Sequence, residues 1–335
     1  MSNISMKNIT LTLFGESHGK CVGGVITGFP PGLKVSYDEI KKDMDRRKPG
    51  QSNLTTKRKE SDDFEFLSGI YNDITTGAPI CITIKNSEHH SNDYENIKNI
   101  PRPSHADYPA YVKYSGYNDV RGGGHFSGRL TAPVVCLGSL CKQFLKTKNI
   151  SIYANIENIG GIKNTAKDGI DYKIQKLISD TAAKGDSVGG KILCLAKGIP
   201  AGYGGPLFEG IEGTLSKLFF GIPAVKAVEF GLGGGFADSF GSKVNDIYSI
   251  KDGEIRTLSN NNGGIAGGIT NGNSIDALLT FKPTPSIYIT QKSVDLKEMK
   301  EAELKIKGRH DPCIVLRAVP VAEAIMSIGI MDMVI

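Results

Sequence analysis

Four of the six histidines stand in turns built from glycine, proline, serine and arginine. The segments are Phe14-Gly-Glu-Ser17-His18-Gly19, Arg102-Pro-Ser-His105-Ala-Asp107, Gly122-Gly-Gly-His125-Phe126-Ser127-Gly-Arg129 and Gly308-Arg309-His310-Asp311-Pro-Cys313. Imidazole titrates near neutrality. Beside Arg and Ser on a turn it suits proton transfer to an anionic group. His89 and His90 sit with Asn92 and Asp93 and read as solvated surface.

Two further segments suit anion binding. Asp45-Arg46-Arg47-Lys48-Pro49-Gly50 puts three cations where Pro-Gly ends a helix. They either compensate the helix dipole, worth about 0.3–1 kcal/mol, or capture phosphate or carboxylate. Asn260 to Gly268, with Lys282-Pro283-Thr284-Pro285-Ser286, either cradles a flat ring and its phosphate tail through backbone N–H groups or merely turns at a sheet edge. Two familiar phosphate loops fail. Gly185 to Lys191 fits the glycine-lysine spacing, but Ile192 stands where a P-loop needs Ser or Thr for magnesium. Gly231 to Phe236 ends in Phe where a dinucleotide fingerprint has glycine.

The elements that must carry these turns alternate in type. Strand patterns cover Ile9–Phe14, Val22–Thr27, Phe64–Leu67, Ile80–Ile84, Ile150–Ile156, Val188–Ala196, Val225–Phe230, Ile275–Phe281 and Ile314–Ala318. A capping box at Ser36 and Glu39 opens a helix to about Arg47. Helical spacing recurs over Leu130–Phe144, Tyr172–Ala183, Leu207–Phe219, Val294–Lys305 and Val321–Met333. The mixture predicts an α/β or α+β fold. No Gly/Ser or Pro linker divides it, so one domain over 1–335 is expected.

Composition narrows the function. The 335 residues are 39% hydrophobic and 22% charged, with a net charge of +5. This is a globular balance. The scattered Lys and Arg give no nucleic-acid footprint. No apolar run nears the roughly 20 residues of a membrane span, and the start lacks a signal-peptide core. The six cysteines form no CxxC pair, which predicts reduced thiols in a cytoplasmic protein and no metal site. The 41 glycines cluster without a collagen period and suggest backbone brought close to something flat or charged. These residues alone indicate an enzyme for an anionic, phosphorylated substrate. They do not reveal the reaction.

In this order the segments resemble the signatures of the chorismate synthase family. They are Phe14 to Gly19; Arg46-Arg-Lys-Pro-Gly-Gln51 with Thr55 and Thr56; Arg102 to Tyr108; Tyr117 to Gly124; and Gly308 to Cys313 with Arg317 to Pro320. The match spans almost the whole chain. The resemblance implies a carbon-oxygen lyase of the shikimate pathway, serving aromatic amino-acid biosynthesis. It would eliminate phosphate and a ring proton from 5-enolpyruvylshikimate 3-phosphate in an anti-1,4 sense. The family requires reduced FMN without net redox. The implied fold is an α/β sandwich with central antiparallel sheets flanked by helices, assembled as a homotetramer. The chain carries no added domain for reducing flavin, which favours an external flavin reductase; NADPH, with Arg47 at its site, is the other source of electrons.

The resemblance also assigns residues. His18 would assist phosphate departure, His105 would exchange a proton with the flavin, and Asp311 would help remove the ring proton. Ser17, Arg46, Arg47, Arg129 and Arg317 would hold the substrate. FMN would be lined by His125, Phe126, Ser127, Pro223, Ala224, Gly267, Lys282, Pro283, Thr284, Pro285, Ser286 and Arg309. Three positions depart from the family pattern. His125-Phe126 stands where Arg-Ser is common, Asn53 where an Arg is usual, and Pro223 where many members have Asn. An ordinary flavin or pyridine-nucleotide oxidoreductase and a non-catalytic phosphometabolite-binding protein are the competing readings. The sequence offers the first no complete dinucleotide fingerprint, and the second would not need His18, His105 and Asp311 together.

Overall fold

The computed structural model describes residues 2–50, 62–86, 99–166, 169–306 and 310–335. His89, His90, Asn53, Thr55, Thr56 and Arg309 lie outside them.

Two five-stranded antiparallel sheets dominate. The first runs Asn3–Ser5, Thr10–Gly15, Cys21–Thr27, Ile80–Lys85 and Phe64–Ser68 across its width. The second runs Val225–Phe230, Ile275–Phe281, Gly190–Lys197, Ser151–Ile159 and Ile162–Lys163. The register of the second sheet follows side-chain alternation. Ile275, Ala277, Leu279 and Phe281 are all buried. They pair with Ala196, Cys194, Ile192 and Gly190, also buried. A slip of one residue would turn both sets outward.

The principal helices are α1 (Tyr37–Arg47), α2 (Asp107–Lys113), α3 (Thr131–Thr147), α4 (Tyr172–Ala183), α5 (Ile211–Phe219), the single turn α6 (Gly241–Val244) and α7 (Val315–Val334). α3 packs on the first sheet, α7 on the second, and the two helices pack on each other. Their approach is close: a Cβ on Gly138 would lie 2.3 Å from that of Ala324. The class is therefore the expected mixed α/β sandwich with antiparallel sheets, but the layer order is the reverse. Helices α3 and α7 are central and the two sheets lie outside them. The cause is visible in α7, where every residue from Pro320 to Asp332 is buried. A helix apolar on all sides belongs in the interior, and each of its Ile and Met side chains contributes ~1.5–3 kcal/mol by burial.

Two sequence expectations fail. Ile314–Ala318 begins α7 rather than forming a strand. Its β-branched residues and Pro320 disguise a helix that is buried all round. Val294–Lys305 is a hairpin, Gln291–Asp295 paired with Lys300–Leu304, despite its helix-forming Lys and Glu. Tertiary contact overrides propensity there: Ser293 donates to the Pro101 carbonyl and the Leu296 amide to the Asn99 carbonyl, the latter at 2.8 Å. No helix among the described residues is long and apolar enough to cross a membrane.

Candidate active site

Five of the segments singled out above, those holding Arg47, His105, His125, Lys282 and Asp311, converge on a cavity of about 1060 Å³, at the upper end of the roughly 300–1,000 Å³ typical of small-molecule sites. Leu11 and Leu13 of the first sheet and Ile314, Ala318, Val321 and Ile325 of the α7 segment supply apolar wall. Among the described residues eight Lys and Arg line it against one carboxylate, Asp311. Such a surface selects anions.

The cations are held by a buried network. Asp62 pairs with both Arg47 and Arg129. The Arg47 carbonyl accepts from Arg317 Nε at 2.9 Å, and Arg317 pairs with Asp311. Burial pushes the Asp62 carboxyl up, but the two guanidiniums outweigh it and hold it below the usual carboxylate range. Burial pushes Arg47 below its ordinary value, against the pull of Asp62. An Arg still remains charged. Arg47 Nε is buried and has no hydrogen-bond partner among the described residues. A buried donor without an acceptor is costly, and in a cation-lined cavity an anionic ligand is the fitting acceptor.

Arg46, the neighbouring residue, points elsewhere. Its guanidinium holds Glu323 of α7 through two bonds of 2.7 and 2.8 Å. Glu323 also accepts from Lys142 and from the Ala154 amide. Arg46 does not line the cavity; it ties α1 to α7, which corrects its expected role as a substrate clamp.

Gly122, Gly123 and Gly124 have φ of 59°, 88° and 53°, a run that favours glycine at each place. Beneath this turn lie Ser17 and His18, both buried. Ser17 Oγ donates to the Arg121 carbonyl at 3.3 Å, and His18 Nδ1 lies 2.9 Å from Ser17 Oγ. Gly122 rather than Ser17 or His18 forms the cavity wall here, placing both one layer behind the surface.

His105 does line the cavity. Its Nδ1 is 2.7 Å from Asp107 Oδ1. Asp107 is gripped by Arg102, with Nε to Oδ2 at 2.7 Å and Nη2 to Oδ1 at 2.8 Å. Arg102 Nη1 donates to Ser286 Oγ at 3.1 Å, and Lys282 Nζ to the Ser104 carbonyl at 2.5 Å. Burial lowers the His105 pKa and Arg102 and Lys282 reinforce this, while Asp107 opposes it. Arg102 and Asp107 stand within the His105 motif, but nothing in their spacing assigns them a role apart from the fold.

The expected cofactor residues divide. Phe126, Ser127, Ala224 (φ 73°), Pro223, Lys282, Thr284, Pro285 and Ser286 line the cavity, as does His125. Thr284 Oγ1 donates to the Asp311 carbonyl at 2.8 Å, and Ser127 Oγ accepts from the Arg129 amide at 3.3 Å. His125 is committed to protein: Nδ1 donates to the Gly15 carbonyl at 2.7 Å, and Nε2 meets the Ser2 hydroxyl. Pro283 does not line the cavity. Gly267 also lies away from it, in the turn between Ile265–Ala266 and Ile269–Thr270, where a Cβ would meet nothing. These two placements correct the expected flavin lining. Lys217 and Lys226 join the wall without any motif to announce them.

A family model described as chorismate synthase matches residues 9–335. The chorismate synthase of Pyrococcus abyssi is 50% identical over 339 residues, covering 97% of this chain and 95% of that protein. The one of Thermococcus gammatolerans is 45% identical, covering 97% and 96%. A solved structure titled "Crystal Structure of Chorismate Synthase" superposes with a TM-score of 0.76 at 27% identity, covering 98% of this chain and 92% of that one.

Proposed function

The chain belongs to the chorismate synthase family of lyases, and from that premise we propose that the cavity binds 5-enolpyruvylshikimate 3-phosphate beside reduced FMN. One C–O bond to phosphate and one ring C–H bond break, and a second ring double bond forms, without net redox. The observation that carries the reading is the cation-rich cavity, lined by Gly122 and by Arg47, whose Nε has no partner among the described residues. Its volume also suits a flat ring lying beside a second ligand. Reduced FMN, when bound, would supply transient electron density to the substrate.

The chain's own residues do the rest. Arg47, Arg129 and Arg317 hold the phosphate and carboxylates in fixed directions. His18, backed by Ser17, stabilises the charge that grows on the leaving phosphate. Asp311 accepts the ring proton, its carboxylate oriented by Arg317. His105 would move a proton at the face where the cofactor would sit, and Phe126, Ser127, Pro223, Ala224, Lys282, Thr284, Pro285 and Ser286 would line that side. The burial of Arg47 against Asp62 supports a role toward an anion inside the cavity over a surface site for NADPH, and so favours an external reductase. Phe208, Phe240 and Ile250 are largely exposed and support association between copies of the chain, which we propose is the homotetramer of a cytoplasmic enzyme.

The test is chorismate formation under anaerobic conditions with photoreduced FMN and no pyridine nucleotide. Turnover is expected, and His18→Ala should lose far more in kcat than in substrate affinity. Absence of turnover in the folded wild type with reduced FMN would overturn the reading.

A further inference from the structure

Between Arg102 and Asp107 the chain folds back on itself. The His105 amide donates to the Arg102 carbonyl at 3.2 Å, with Pro103 and then Ser104 at φ 59° in the central positions. That is the type II turn pattern. It brings Asp107, the first residue of α2, against the Arg102 guanidinium, with the His105 ring beside both. The Arg102 amide also donates to Asp107 Oδ2 at 3.0 Å. Side-chain exposures of 4% for Arg102 and 12% for Asp107 leave little room for either to swing away.

We propose that Asp107 and Arg102 are positioning residues that fix His105 as its Nδ1–H tautomer, so that Nε2 presents a lone pair toward the cavity and the Gly122 to Gly124 turn. An ionised carboxylate only accepts, so the proton in the Nδ1 to Oδ1 bond belongs to the ring. A neutral imidazole then has Nε2 unprotonated. The Cε1–Nε2 edge is the one against the glycine turn: a Cβ on Gly123 would lie 3.2 Å from Cε1 and 3.4 Å from Nε2. Arg102 serves by holding both carboxylate oxygens, which stops Asp107 from rotating or taking a proton. Through Ser286, Arg102 also joins this triad to the Lys282–Ser286 loop. The inference rests on the proposal that His105 serves the cofactor, but it concerns the ring before any ligand binds.

The charged groups acting on His105 are Asp107 and Arg102 on its own turn and Lys282 from the loop opposite. They give the two partners opposite effects. Asp107 raises the His105 pKa and Arg102 lowers it.

The experiment is 15N NMR of histidine-labelled full-length protein, without FMN or substrate, titrated with pH. Wild-type His105 should show an unprotonated Nε2 above its pKa. Asp107→Asn should mix the tautomers and lower the pKa by about one unit or more, the scale of one nearby opposite charge. Arg102→Gln should raise it. A wild-type ring protonated at Nε2 overturns the proposal without recourse to any variant. So does a folded Asp107→Asn with unchanged tautomer and pKa. Turnover of His105→Ala tests the separate claim that His105 serves the cofactor: wild-type turnover of that variant, beside the expected tautomer in the wild-type protein, would sink that claim alone.

Discussion

Gly122 lies so close to His18 that a Cβ built on it would fall 2.3 Å from the imidazole Cε1 and 2.5 Å from Ser17 Oγ. The glycine turn is therefore both cavity wall and roof of the Ser17–His18 pair. Gly122→Ala must displace His18 or open the turn, on top of a left-handed φ that costs about 1–2 kcal/mol for a residue with a Cβ. The variant should lose turnover at least about tenfold, one decade per ~1.4 kcal/mol, while still unfolding cooperatively. Wild-type kcat would show that the turn has slack.

Asp62 is the shared counter-charge of Arg47 and Arg129 and is almost wholly buried. Asp62→Asn strands two guanidiniums and should cost about 3–5 kcal/mol at neutral pH. The pH dependence has a definite sign. The folded pKa of Asp62 is depressed, so its stabilisation is present above the unfolded value of about 3.9 and is lost as pH falls through the folded one. Urea unfolding at pH 7 and below pH 4 should show the gap between wild type and variant narrowing in acid. A gap that is equally wide at both would mean that shape, not charge, is what Asp62 supplies.

Arg46 and Arg47 should part company on substitution. Arg47→Ala removes a charge-assisted contact worth about 1.5–3 kcal/mol and should weaken binding of the phosphorylated substrate roughly tenfold to a hundredfold. Arg46→Ala should leave that Kd within about twofold and lower the Tm, since its partner is Glu323. Calorimetric titration and thermal unfolding of both variants decide the matter. Equal losses of affinity would restore Arg46 to the site.

The sequence could not separate those two arginines. Adjacent residues on a helix point about 100° apart, and only the position of α7 tells which one meets Glu323. Ile275–Phe281, whose alternate residues are buried, was legible to the residue; Val225–Phe230 has the expected bounds although only Val225 of it is buried. α7 was half hidden because burial on every side erases its period. The hairpin after Tyr288 was misread because its lysines and glutamates favour helix in isolation. Local motifs carried much of the site, including His105, Asp311 and the 282–286 loop. What they could not carry were partners from outside any motif. Asp62 follows a strongly polar run and lies 67 positions from Arg129 in sequence; only the folded chain shows that they pair.

His125 was expected to touch flavin, yet both ring nitrogens are engaged within the protein. Nδ1 faces a carbonyl, that of Gly15, so it must carry the proton; Nε2 then accepts from the Ser2 hydroxyl. The ring thus ties the segment before the first strand, Asn3–Ser5, to the end of Thr10–Gly15, where the Ser17–His18 turn begins. His125→Ala should cost about 1–2 kcal/mol, on the scale of two ordinary hydrogen bonds. It should also speed exchange of the Leu13 amide, which donates to the Ser2 carbonyl at 2.8 Å. His125→Arg should recover most of this, because a guanidinium can donate to the Gly15 carbonyl and to a rotated Ser2 hydroxyl. Phe126→Ser should leave stability within about 0.5 kcal/mol, as surface substitutions generally do; its side chain is exposed, with the Tyr114 ring 6.3 Å away between centroids. Thermal unfolding and amide exchange of the three variants, without cofactor, make the comparison. If His125→Ala matches wild type in both Tm and Leu13 exchange, the tie contributes nothing and His125 is available to a ligand after all.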